Sequence, residues 1–478
     1  MENENKKISK QEYEKIILED LEGNLFLSEK EGYARVVING KYKNIPVRSG
    51  EFEDYARYKV YRKTSSSISV HILKEIISLV GARAQFSEVV HRLFHRVGLS
   101  SDDKVIAYNL CDKDGHYVRI EGCGWEVCPN SKIPLAFKEP YSKPQVTPLK
   151  GGGLKDIFEI LNIRDRDVQL LYLCVLCTSM IPGIPHPIVY VHGPAGSGKT
   201  NLLKITKDLL DPCEIGVGGF PKNIEDYLIQ LDQQWVAAFD NVGKINDEWS
   251  DAMARTCTGD TAVKRTLYEN KKLTLLKAKN PVFLNGINMN ARKSDLLQRS
   301  IMIETSVFKD GDRKSEAEIN KKYKEMKPRL LGAIFSAVSE AMSIKTEQLP
   351  ITDFRLADFA NWGSACAIAL GYSREDFIRA YSDNSKRRAQ DAIRSSNAGT
   401  VLIHYLEVYK SFVGLTSELF AALGEHKRAR NIEVGIIAHS AQTLGNKLIE
   451  LDNSLREIGI KINKKHTSKG TLLEIYKS

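Results

Sequence analysis

The sequence predicts an α/β fold built on a parallel sheet, preceded by an N-terminal α+β accessory domain and followed by a helical region and a C-terminal winged helix. Three observations carry this. Residues 188–200 read IVYVHGPAGSGKT, an apolar strand, a glycine-rich turn and the start of a helix. From residue 154 to about 307, helical and strand patterns alternate, as parallel α/β sheets require. Residues 400–478 give three helical stretches, then GIKINK and TLLEIYK around a basic turn, the order of a winged helix.

Taken in order, residues 1–55 are charged and mixed, an extension with a small hairpin expected near 34–47. Residues 56–150 form the accessory domain, with a helix near 70–80. The runs VIAYNLCD, HYVRIEG and GWEVCP follow, the first two separated by the turn pair Asp114 and Gly115. Pro134, Pro140, Pro144, Pro148 and the glycines at 151–153 mark a linker. The core is expected over 151–310, a helical lid over 311–395 and the winged helix over 396–478.

Composition narrows the class. A 478-residue chain with 42% hydrophobic and 27% charged residues is ordinary for a globular protein of several domains. No apolar run reaches the roughly 18 residues that span a bilayer. The stretch 170–184 is interrupted by Thr178, Ser179 and Pro182, and the charged start lacks a signal-peptide core. A cytoplasmic protein without a membrane partner is expected. The net charge is +9, and residues 381–478 hold 15 Lys+Arg against 10 Asp+Glu, a basic end suited to a polyanion. Cys174 and Cys177 form a CxxC inside an apolar helical run, where core packing is expected. Cys111, His116, Cys123 and Cys128 lack the paired short knuckles of zinc folds.

The octapeptide Gly193, Pro194, Ala195, Gly196, Ser197, Gly198, Lys199 and Thr200 fits a phosphate loop. Its glycines let backbone N–H groups turn toward phosphate oxygens, Lys199 supplies a point charge, and Thr200 offers a hydroxyl to Mg²⁺. The apolar strand 235–239 ends in Asp240, a carboxylate placed to hold the metal. Asn241 follows where many ATPases carry the glutamate that activates water, and Asp247 and Glu248 are near in sequence. The strand of PVFLNGIN ends in Asn285, which can position water or sense the γ-phosphate, and Arg299 precedes another apolar strand. Between them lies an insert rich in Lys and Arg, with Lys264, Arg265, Lys271 and Lys272 as nucleic-acid contacts and Tyr268 interleaved. In the tail, Asn446, Lys447, Arg456, Lys464, Lys465 and Lys469 are expected to face DNA.

In sequence order GPAGSGKT, FDN, TGD…KRTLY…LNGI and DLLQRSIMIE resemble the AAA+ ATPases of phage- and plasmid-type replicative helicases, related to superfamily-three helicases. The likeness extends upstream to GWEVCP and GGGLKDIFEILNI and downstream to KPRLLGAI, covering about residues 56–478. The resemblance implies a ring, commonly a hexamer, with ATP and Mg²⁺ between subunits. It makes Lys199 and Thr200 the phosphate and metal ligands, Asp240 the second metal ligand, Asn285 the polar sensor and Arg299 a finger acting in trans. Arg329, at the head of a helix starting at Pro328, becomes a second sensor. Asn241 in place of glutamate departs from the pattern and leaves the base unassigned. The expected function is an ATP-dependent DNA translocase or helicase replicating a mobile element, with single-stranded or forked DNA, further copies of the chain and a primase or other replication proteins as partners. The alternatives are an ATP-switch loader or initiator that does not unwind, and a small-molecule kinase.

Overall fold

The computed structural model describes residues 8–133, 135–243, 245–265, 273–286, 294–308, 313–347, 350–468 and 470–477. The N-terminal layer holds α1 (Lys10–Leu18), β1 (Leu25–Ser28), β2 (Glu31–Ile38), β3 (Lys41–Pro46), α2 (Gly50–Thr64) and α3 (Val70–Gln85). Ser9, Ser49 and Ser69 cap the three helices with side-chain oxygens. The expected hairpin is β2–β3, turning at Asn39 and Gly40 with φ of 52° and 80°, the left-handed pair that tight hairpins favour. The boundary expected at 55/56 is corrected, because it cuts α2 in half. Phe52, Ala56 and Val60 bury one helical face against Tyr13, Val36 and Val80, so residues from both sides share one core.

Next come β4 (Leu93–Phe94), β5 (Val97–Leu99), β6 (Ile106–Asn109), β7 (His116–Glu121), β8 (Gly124–Pro129) and β9 (Ala136–Phe137). Strands β5 to β8 form an antiparallel meander in chain order. Its inner residues Val118, Ile120 and Trp125 lie in the same core as the central helices, so this sheet is built onto the central body.

The centre comprises α4 (Arg166–Thr178), β10 (Ile188–His192), α5 (Lys199–Leu210), β11 (Gly218–Gly219), α6 (Ile224–Asp232), β12 (Ala237–Asp240), α7 (Asp247–Thr258), β13 (Asp260–Arg265), β14 (Leu273–Ala278), β15 (Val282–Asn285), α8 (Ser294–Gln298) and β16 (Ser300–Glu304). Five strands make a parallel sheet in the order β11-β12-β15-β10-β16. The apolar runs of β10 and β15 are buried, as expected of strands covered on both faces. Strands β13 and β14 pair antiparallel outside that sheet, forming the expected insert hairpin.

Then follow α9 (Glu316–Glu347), α10 (Ala357–Ala369), α11 (Arg374–Arg394), α12 (Asn397–Tyr409), β17 (Ser411–Leu415), α13 (Thr416–Ala429), α14 (Ala441–Glu457), β18 (Ile460–Thr467) and β19 (Gly470–Lys477). Helix α10 packs between α4 and α9, and Gly363 makes room for the Phe377 ring, which a Cβ would meet at 2.5 Å. On the free edge of β16, Asn384 of α11 accepts from Met302 N and donates to Met302 O, so a side-chain amide seals the edge strand. The last unit is three helices with a three-stranded antiparallel sheet, β17-β19-β18. Strand β17 is an addition to the expected order. Among the described residues no helix is long and apolar enough to cross a membrane.

A buried ionic cluster joins the meander to the parallel sheet. Arg96, fully buried, donates Nε to Asp211 Oδ1 (3.2 Å), and Lys207 Nζ donates to Asp211 Oδ2 (2.9 Å). Asp211 Oδ2 also accepts from Trp235 N and Val236 N, fixing the approach to β12. Burial alone pushes a carboxyl up, but the Lys207 and Arg96 cations outweigh it and hold Asp211 well below the usual range.

Candidate nucleotide site

The glycine-rich loop joins β10 to α5 at the carboxyl edge of the parallel sheet, where open α/β sheets bind ligands. Gly193, Gly196 and Gly198 have φ of 144°, 72° and 92°. At Gly193 a Cβ would lie 2.4 Å from Thr305 Oγ1, so only glycine lets the loop turn here. Ser197 Oγ donates to Pro194 O at 2.8 Å and meets Thr305 Oγ1 at 2.7 Å, which fixes the loop against the end of β16. Lys199 Nζ bonds Gly193 O and Pro194 O at 2.9 and 2.7 Å, so its ammonium lies within the loop rather than out in solvent.

Thr200 Oγ1 donates to Asp240 Oδ1 at 3.1 Å, joining the first turn of α5 to the tip of β12. Strand β15 lies between β10 and β12, which sets Asn285 between the loop and Asp240. Asn285 Oδ1 accepts from Asn241 N at 2.7 Å. That backbone donor fixes the amide's orientation. Among the described residues its Nδ2 is then a buried donor with no partner, an expense a fold seldom carries without use. Asn241 itself has φ 55°, a left-handed conformation that asparagine tolerates and glutamate does not favour. Asparagine therefore suits the backbone at this position. Asp247 and Glu248 are exposed in the first turn of α7, capped by Asn246, with no bond to Asp240 among the described residues.

Arg299 is elsewhere. It precedes Ser300, which pairs with Ile188 at the opposite end of β10 from the loop. Four strand steps, about 13 Å, separate the two ends. Its guanidinium bonds Asp295 Oδ1 (3.1 Å), Ala254 O (3.0 Å) and Thr258 Oγ1 (3.3 Å). Arg329 is corrected. The helix does not begin at Pro328 but runs from Glu316 through it, and Arg329 is exposed more than three turns beyond the end that faces the loop. At Pro328 the helix is crossed by the strap 149–153. Leu149 N donates to Pro328 O at 2.9 Å, and Gly152 and Gly332 admit backbone approaches that a Cβ would close to 2.6 and 1.9 Å.

The residues beside the loop are ones the sequence patterns passed over. A pocket of about 340 Å³ is lined by Ile160, Leu161, Phe308 and Ile319, with Lys204 and Arg313. Arg313 Nη2 sits 3.3 Å from where a Gly196 Cβ would be, and the Phe308 ring 3.7 Å from that of Gly198. An apolar slot continuous with a cationic loop has the chemistry to suit a planar base and a polyphosphate chain. In sequence its parts lie in GGGLKDIFEILNI, already quoted for its resemblance, and in the run following β16, SVFKDGDRK.

Of the expected nucleic-acid contacts, Lys264 and Arg265 fall on β13, whereas Tyr268, Lys271, Lys272 and Lys469 lie outside the described residues. Lys447 is not free, since its Nζ donates to Ile437 O at 2.8 Å. Arg456 pairs with Asp452, while Asn446, Lys464 and Lys465 are exposed. All eight cysteines are reduced, and Cys174 and Cys177 are buried in α4, where packing was expected. Among the described residues, the sulfurs of Cys111, Cys123 and Cys128 form no metal-sized cluster with His116.

Residues 154–387, a little under half of the chain, match the model of a family described as actinomycete integrative conjugative element replication protein. No curated protein matches. Among solved structures, the chain is similar to the A-form apo structure of the NrS-1 C-terminal region, at 11% identity and TM-score 0.40, covering 95% of this chain and 96% of that one. It is equally similar to an apo structure of the same region at TM-score 0.41, with the same identity and coverage. The central region of this chain, loop and sheet included, is thus similar to the replication protein of a mobile element.

Proposed function

We propose that the chain is an AAA+ type P-loop ATPase that moves along or unwinds DNA during replication of a mobile element. The observation that carries this is the Thr200–Asp240 hydrogen bond beside the glycine-rich loop, which unites residues 40 apart at one sheet edge. The strand order, with β15 between β10 and β12, supports the same reading. The residues fit Mg²⁺ and a nucleoside triphosphate. Thr200 and Asp240 offer hard oxygen ligands, Lys199 and the loop N–H groups the phosphate cradle, and Asn285 Nδ2, without a partner among the described residues, a donor for an anionic oxygen. Bound Mg²⁺ neutralises charge developing on the phosphates. The slot at Ile160, Leu161, Phe308 and Ile319 takes the base, and Arg313 adds a cation over the loop. The order of α12 to β19 fits a winged helix, a fold that commonly holds DNA.

Asn241 favours a second reading, an ATP-switch loader or initiator, because no adjacent glutamate activates water. Strand displacement on a forked duplex separates the two. The helicase reading predicts ATP-dependent release of one strand. Intact duplex alongside continuing ATP hydrolysis contradicts it and supports the switch.

A further inference from the structure

The C-terminal unit has two surfaces that could meet a polyanion, and their charges differ. Helix α14, which stands where a groove-reading helix would, carries Lys447 and Arg456 against Glu450, Asp452 and Glu457. Both cations are engaged, Lys447 by Ile437 O at 2.8 Å and Arg456 by Asp452 at 3.0 Å. Glu450 is exposed and Ile449 is 61% exposed, so the open face presents a carboxylate and a bare aliphatic chain. Its last turn is also held, since Glu457 Oε2 accepts from Ser385 Oγ at 3.0 Å and from Arg388 at 3.5 Å on α11. A helix entering a major groove about 12 Å wide needs a free face without like charge to the phosphates.

Among the described residues the wing carries more free cations, its carboxylate Glu474 on β19 being hydrogen-bonded by Asn463 Nδ2 at 3.0 Å. On β18, Ile460 and Ile462 point into the core, while Lys461, Lys464 and Lys465 are exposed and in no ion pair among the described residues. From Lys461 to Lys465 the strand runs about 14 Å. Phosphate contacts of this sort position a protein on DNA without reading sequence.

We propose that this unit grips the duplex DNA backbone through the β18–β19 wing, independently of sequence, with α14 kept out of the groove. The inference rests on the DNA-directed reading above. It is tested with the full chain by fluorescence anisotropy over a salt series, using two duplexes of equal length and unrelated sequence. The parent chain binds both within about twofold. The triple variant Lys461→Ala, Lys464→Ala, Lys465→Ala, checked by its thermal midpoint, loses at least about tenfold in affinity for both. Its log–log salt slope shrinks by about 2.7, three phosphate contacts at ~0.9 each. The α14 variant Gln442→Ala, Asn446→Ala binds like the parent. Loss of binding in the α14 variant, an unchanged salt slope in the wing variant, or loss on Arg428→Ala, Arg430→Ala instead overturns the wing assignment alone. A parent chain that binds neither duplex overturns the DNA-directed reading as well.

Discussion

On the proposed function, Arg299→Ala subunits are expected to hydrolyse ATP about 10³–10⁵ times more slowly than the parent chain, the range by which arginine fingers accelerate phosphoryl transfer. The geometry dictates where that effect originates. Arg299 stands beside the end of β10 that lies away from the loop, remote from its own Thr200–Asp240 pair. On the proposed function, the subunit it serves is a second copy of the chain. Mixing therefore discriminates. Arg299→Ala subunits keep a sound pocket and Lys199→Ala subunits keep a sound finger, so interfaces that combine the two recover activity from two inactive preparations. The bonds from Arg299 to Asp295, Ala254 and Thr258 raise a purely structural explanation. A structural defect gives no recovery on mixing, and a mixture as inactive as its components contradicts action in trans.

The second large effect is on stability. Asp211→Asn costs about 3–5 kcal/mol, because it leaves the buried Arg96 and Lys207 cations without their counter-charge. It also turns an amide nitrogen toward donors that now meet a carboxylate. Denaturant unfolding at neutral pH measures it, and an unchanged midpoint contradicts it. The pH dependence has a definite sign. The folded-state pKa of Asp211 lies below its unfolded value, so its contribution is complete above the unfolded pKa of about 4. Below that it is lost progressively, and the gap between parent and variant narrows with acidification.

What was legible in the sequence was what is local. The octapeptide, the Asp-ended strand and the Asn-ended strand are each one short continuous run, and alternating patterns order the elements correctly. The misreadings all involve contacts between distant segments. Pro328 looks like the first residue of a helix, since proline usually is. Here it sits inside α9, and the strap at 149–153 uses its carbonyl. From sequence alone GEFEDYARYKVYRKT is divided between the extension and the accessory domain because its stripe of Phe52, Ala56 and Val60 is narrow, and the partners of that stripe lie on α1, β2 and α3. Arg96 and Asp211 are 115 residues apart, and nothing in either neighbourhood announces the other. Within the site, Asn241 is read as a missing base from sequence alone. Its left-handed backbone and its bond to Asn285 give the position a conformational reason.

ATP hydrolysis by the parent chain and by Lys199→Ala, each with and without single-stranded DNA, tests the central claim most directly. Hydrolysis that rises with DNA in the parent and is absent in Lys199→Ala is the predicted result. Hydrolysis indifferent to DNA, or surviving in Lys199→Ala, contradicts an engine built on this loop.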